Sequence, residues 1–196
     1  MPVRLSRHAQ NRVKLEANHR TVNTCYGTGR NRSSTSPSSP LREVASMTIS
    51  STAFRNNESI PVRHTCTEHD LSPELIFDDV PATANSLALV VEDPDAPAGL
   101  WVHWVVYNIP PTLGRLPQGI SRTGRLAGGA VQGQGSNGRI GYAGPCPPAG
   151  THRYYFRLYA LGVHLTLRPG ATRDMLISAM HNHIIADAVL MGTYSR

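Results

Sequence analysis

Between Ser86 and Glu92 the chain reads Ser-Leu-Ala-Leu-Val-Val-Glu, an apolar run without polar interruption, which predicts a strand buried on both faces. Leu100 to Ile109, closed by Pro110-Pro111, predicts a second buried strand, central in its sheet. Strict alternation would place Trp101, Val105 and Tyr107 on one face and Val102, Trp104 and Val106 on the other. Residues 153–161 alternate cleanly, with Tyr154, Phe156, Leu158 and Ala160 turned one way and Arg153, Tyr155, Arg157 and Tyr159 the other. By the same parity His152 starts that strand facing inward. Met47 to Phe54 predicts a further strand at the start of the body. Near the C-terminus the period changes. Thr172 is a candidate N-cap with Asp174 in the first turn, Met175, Met180, Ile184, Ala188 and Met191 form one helical stripe, and Gly192 is the expected stop. Strands first and one late helix, without strand–helix alternation, predict a mainly β domain. Its central sheet is expected to be antiparallel, with peripheral short helices and a C-terminal helix.

The connections interrupt this pattern unevenly. Asp93-Pro-Asp-Ala-Pro97 separates two apolar strands, and the sharp reversal makes Ala96–Pro97 a candidate cis peptide. The connection from Pro110 to His152 is far longer than a compact domain ordinarily carries, and residues 124–150 hold nine of the chain's 17 glycines. A loop of that length calls for a functional reason.

Charge changes the picture at the N-terminal end. Residues 1–46 carry eight Lys and Arg against Glu16 and Glu43, whereas the remaining 150 residues balance to zero. A nucleic-acid or membrane role therefore cannot be assigned to the body on charge. The first segment lacks apolar periodicity and runs into Arg30-Asn-Arg-Ser-Ser-Thr-Ser-Pro-Ser-Ser-Pro40, the composition of a disordered extension. It has no apolar signal core. It has the Arg- and Ser-rich make-up of an organelle transit peptide, although an upstream start before a working Met47 is the simpler expectation. Residues 47–196 form the expected domain. No run of about 18 apolar residues suggests a transmembrane segment. With three cysteines, no Cys-x-x-Cys pair and no secretory signal, the expected compartment is cytoplasmic with reduced thiols, a Cys66–Cys146 bridge being the open alternative.

Three segments bring chemistry to strand ends. Asp93 and Asp95 follow the 86–92 strand, His103 lies early in the next, and Gly141-Tyr-Ala-Gly-Pro-Cys-Pro-Pro148 leads through His152 into the third. Gly141 and Gly144 would let backbone N–H groups approach an anion, and two imidazoles would add charge-assisted donors.

Asp93-Pro-Asp-Ala-Pro97, Trp101-Val-His-Trp104, Gly141–Pro148 and His152-Arg-Tyr154 together resemble the signature segments of the phosphatidylethanolamine-binding protein family. The opening Met47-Thr-Ile-Ser-Ser-Thr-Ala-Phe54 and the closing Gly192-Thr-Tyr-Ser-Arg196 are similar to its bacterial and archaeal Raf-kinase-inhibitor-like (YbhB/YbcL) branch. The resemblance implies a central antiparallel sheet and a surface cavity for phosphate-like anions or phospholipid head groups. It places Asp93, Trp101, His103, Gly144, Pro147, His152 and Tyr154 in that cavity. It implies no catalysis and no cofactor, links some members to kinase or protease partners, and leaves a homodimer open. Where the branch usually has Ser-Pro-Pro-Leu-Ser-Trp, this chain has Ser72-Pro-Glu-Leu-Ile-Phe77, so one wall of the cavity should differ.

Two rival readings remain at this level. One is a metal-dependent hydrolase using His103, His152 and Asp93, with no His-Glu-x-x-His pattern in its favour. The other is a protein-interaction module with a vestigial pocket. Removal of residues 1–46 should leave the thermal melting of the body unchanged, because the segment offers nothing to a core. Calorimetry of the truncated chain checks this.

Overall fold

The computed structural model describes residues 46–196, so the expectation for the basic extension falls almost wholly outside the described residues. Strands β1 (Thr48–Ser50), β2 (Leu75–Asp78) and β5 (Arg115–Leu116) form a small antiparallel sheet in the order β1-β2-β5. The larger sheet has the order β6-β4-β3-β7-β8, all pairs antiparallel. Its strands are β3 (Ser86–Asp93), β4 (Trp101–Ile109), β6 (Val131–Gln132), β7 (Thr151–Leu161) and β8 (Ile184–Ser195). The uninterrupted apolar run of β3 sits at the centre, buried at every position. One α-helix, α1 (Arg173–Met180), follows β7.

Two apolar layers explain why β3 and β4 read as apolar on both faces. Leu87, Leu89 and Val91 of β3 meet Phe156 and Leu158 of β7 and Leu75 and Phe77 of β2 between the sheets. On the opposite face Ala88 and Val90 pack with Val105, Leu165 and the α1 residues Leu176 and Met180. The long connection is used on both sides, giving β5 to one sheet and β6 to the other. Gln132 in β6 organises it. Fully buried, its amide donates to the carbonyls of Ser121 and Thr123, both at 2.7 Å, and accepts from the Trp104 indole at 2.7 Å.

Alternation along β4 fails at two places: near its end, where Asn108 has a positive φ of 55° and the register slips between Leu87 and Leu89, and at His103. Val91 lies opposite Trp104, yet Glu92 lies opposite Val102, so His103 is the extra residue of a β-bulge. Beyond the bulge the faces exchange. Val102 joins Val105 and Tyr107 in the outer layer, while Trp104 and Val106 face the space between the sheets. The strict parity expected for this strand is therefore corrected.

Three further expectations are corrected. The helix stops at Met180 instead of running to Met191: Asn182 adopts a positive φ of 64° and the chain re-enters the sheet as β8. The β-branched and aromatic side chains of Ile184, Ile185, Val189, Thr193 and Tyr194 favour the strand, which pairs with β7 along its whole length. Gly192 is a packing glycine, since a Cβ there would lie 2.6 Å from Ile60 Cγ1. Cys66 and Cys146 are joined in a disulfide, in place of the reduced thiols taken as the default. Among the described residues no peptide bond is cis, so Ala96–Pro97 is trans.

Replacing Gln132 by Met would leave the buried Trp104 indole N–H without a partner and release the Ser121 and Thr123 carbonyls. An unsatisfied buried group costs about 1–3 kcal/mol, so a loss of about 2 kcal/mol in urea-unfolding free energy is expected.

Candidate functional site

Asp93 ends β3 on the face shared with Leu87, Leu89 and Val91, and His152 begins β7 on the face shared with Tyr154 and Phe156. The two strands are neighbours, and both side chains are buried beyond the end of the apolar layer. His152 Nδ1–H donates to Asp93 Oδ2 at 2.7 Å, while Asp93 Oδ1 accepts from the Asp95 N–H at 2.8 Å. Asp95 in turn holds Arg153. Its carboxylate receives Nε at 2.9 Å and Nη2 at 2.7 Å, which keeps its pKa down at about 2. The two aspartates of the turn thus fix successive residues of β7 on opposite faces.

His103 reaches the same place through the bulge. Its Nδ1–H donates to the Ala143 carbonyl at 2.7 Å, and its own carbonyl accepts the Ala143 N–H at 2.9 Å. Burial lowers its pKa, with the bonded carbonyl and Asp93 opposing in part, so the ring is held neutral at pH 7. Tyr154 packs edge-on against it with ring centroids 5.2 Å apart. The Tyr154 hydroxyl, in a residue only 1% exposed, is the one buried side-chain polar atom among the described residues without a partner. Burial first, then the Asp93 charge, pushes its pKa well up, so it remains an O–H donor.

These groups surround a cavity of about 420 Å³, within the range of small-molecule sites. His103, His152 and Asp93 meet the 96–98 turn and Trp101 on one side and Gly144, Pro147 and Pro148 on the other. Asn137 arrives on a loop whose neighbour Ser136 is bonded to Val102 through both backbone and hydroxyl. Cys66 and Cys146 lie at the mouth with Asp70. Asp70 Oδ1 accepts the Gly144 N–H at 2.6 Å, and Oδ2 pairs with Arg122.

Comparison with known proteins fits this arrangement. The family profile for phosphatidylethanolamine-binding protein matches residues 50–195. The chain belongs to the phosphatidylethanolamine-binding protein family. A UPF0098 protein of Methanothermobacter thermautotrophicus is 47% identical over 150 residues, covering 76% of this chain and 99% of the relative. The crystal structure of a phosphatidylethanolamine-binding protein homolog from Chlamydia trachomatis is similar with a TM-score of 0.72 at 46% identity, over 77% of this chain and 98% of that one. Escherichia coli YbcL, described as a member of the mammalian PEBP family, also gives a TM-score of 0.72, at 31% identity over 78% of this chain and 99% of that one. The bacterial and archaeal branch is thereby shown as well.

Of the seven residues that the sequence singles out in this family member, Asp93, Trp101, His103, Gly144, Pro147 and His152 line the cavity, and Tyr154 stands behind His103. The role expected of the glycines changes. Gly144 gives its N–H to Asp70 and Gly141 gives its own to the Gly133 carbonyl at 3.4 Å, so neither donates into the cavity. Gly144 is required because a Cβ would lie 2.4 Å from the His64 carbonyl oxygen. Sequence reasoning missed Asp70 and Asn137. Neither lies in an alternating segment, so neither leaves a periodic signal in the sequence.

His103 should be the Nδ1–H tautomer with a pKa below 6.5, readable from long-range ¹H–¹⁵N correlations across a titration. His64 is also lowered by burial. The unfolded chain therefore binds more protons below pH 6.5. Unfolding free energy should be full above that value and fall as pH drops toward 5, before the Asp95 carboxylate titrates.

Proposed function

We propose that the cavity binds a phosphate-like anion, free or as a phospholipid head group, without chemical conversion of it. The observation that carries this reading is the pair of imidazoles anchored through Nδ1, His103 on Ala143 and His152 on Asp93, which leaves both Nε2 atoms unpartnered at one cavity. A ring fixed at one nitrogen is pre-oriented at the other, and in its protonated form it offers an N–H and a positive charge to an anion. The unpartnered Tyr154 hydroxyl supplies a further donor behind His103. Asp70 and Asp93 bring carboxylates to the cavity wall, where the ammonium of a zwitterionic head group would lie. Regulation of a kinase or protease partner would be a second use of the same surface, and it rests on the family relationship alone.

A metal hydrolase built on His103, His152 and Asp93 has less support. Asp93 is engaged with the His152 ring, and among the described residues no three His, Cys, Asp or Glu side chains gather as a metal-binding group.

Because His103 is neutral in the empty cavity, anion binding must draw a proton onto it, so affinity should fall by up to tenfold per unit as pH rises between the free and bound pKa values. Sulfate avoids the titration of a phosphomonoester. Its stabilisation of the folded chain, followed as a shift in Tm, should shrink between pH 5.5 and 8. In the double variant His103→Ala, His152→Ala the shift should nearly vanish, and an undiminished shift there would place the anion elsewhere. Glycerophosphoethanolamine should exceed sulfate if the carboxylates take its ammonium, and Asp70→Asn should narrow that gap.

A further inference from the structure

Cys66 and Cys146 are both exposed at the cavity mouth, and the Arg196 guanidinium lies against their sulfurs. Its Nη1 is 3.5 Å from Cys146 Sγ and 4.0 Å from Cys66 Sγ. A nearby cation lowers a cysteine's pKa, makes it the better leaving thiolate and attracts an anionic attacking thiolate. The bridge is therefore both reachable and polarised. We propose that it is a thiol–disulfide exchange site for anionic small-molecule thiols of the glutathione class, with Cys66 the sulfur attacked and Cys146 the leaving thiolate.

The exchange balances in two steps. The external thiolate forms a bond to Cys66 Sγ as the Cys66–Cys146 bond breaks, and the electron pair leaves on Cys146 Sγ beside Arg196. A second thiolate then attacks the external sulfur of the mixed disulfide. It releases the oxidised small-molecule disulfide and a Cys66 thiolate, which takes a proton from water. Two external thiols are oxidised and one protein disulfide is reduced.

Other ties between the same two segments would hold the cavity wall during this chemistry. The Cys66 N–H donates to the Pro145 carbonyl at 3.1 Å, the Tyr142 hydroxyl to the His64 carbonyl at 2.8 Å, and the Gly144 N–H to Asp70. Opening the bridge thus changes the groups at the mouth, placing first a peptide adduct and then two thiols there, while the wall keeps its course. This site does not depend on what the cavity binds.

The test uses the full oxidised chain carrying Cys25→Ser, so that Cys66 and Cys146 are its remaining cysteines. After brief exposure to limiting glutathione and trapping with N-ethylmaleimide, peptide mass spectrometry should find glutathione on Cys66 and the alkyl group on Cys146. Adduct chiefly on Cys146, or shared equally, would overturn the assignment. Arg196→Gln should slow bridge opening by about three- to tenfold and Arg196→Lys should restore most of the rate. An unchanged rate in Arg196→Gln would remove the role of the cation, and a bridge that opens only in denaturant would remove the site.

Discussion

A two-way hydrogen bond between His103 and Ala143 holds the site in shape, and much else follows from it. The main chain of His103 accepts from Ala143 while its ring donates to the same residue. The first contact fastens the long glycine-rich connection to β4 at the bulge. The second fixes the tautomer of the ring. Neither would be available in a regular strand, where a residue at position 103 would turn its side chain to the outer layer with Val105. One surplus residue thus converts an apolar position into a cavity position, and the loop that it captures supplies the opposite wall.

The carboxylates at and beside the cavity have their hydrogen-bonding capacity mostly taken by the protein itself. Asp93 is spent on His152, Asp70 on Arg122 and a backbone N–H, and Asp95 on Arg153. The same pattern recurs away from the mouth, where buried Glu92 takes Arg157 at 2.6 Å and Arg173 at 3.1 Å, linking β3, β7 and α1. Removing the partner of buried Asp93 or buried Glu92 is costly, whereas the intact pair mainly fixes position. Position is what two imidazoles need if they are to present their remaining nitrogens together.

The sequence was most legible where periodicity was regular. The inward set of β7, from His152 to Ala160, follows parity without exception, and the uninterrupted run of β3 marks the sheet centre. Legibility failed where a single residue overrode the period. His103 shifts the phase of β4, and Asn182 ends a helix whose apolar stripe continues by coincidence into a strand. Gly144 was located correctly and explained wrongly: its need is room for the His64 carbonyl, a contact between residues 80 positions apart that no local pattern records. The same separation hides the pairing of Cys66 with Cys146. Asp70 was invisible because a positive φ of 53° in an irregular turn leaves no periodic trace.

The strand order also bears on how the chain assembles. β3 and β4 are successive in sequence and join through a short turn, but β3 meets β7 only after the entire 110–150 connection has been closed. Closing so long a loop carries an entropic cost before any distant contact rewards it, which makes this junction the slow step expected of non-local β pairing. Asp93 and His152 stand on opposite sides of that junction, and Ala143 lies within the closing segment. The cavity therefore cannot precede the completed sheet. A chain caught on the way carries the strands but not the receptor.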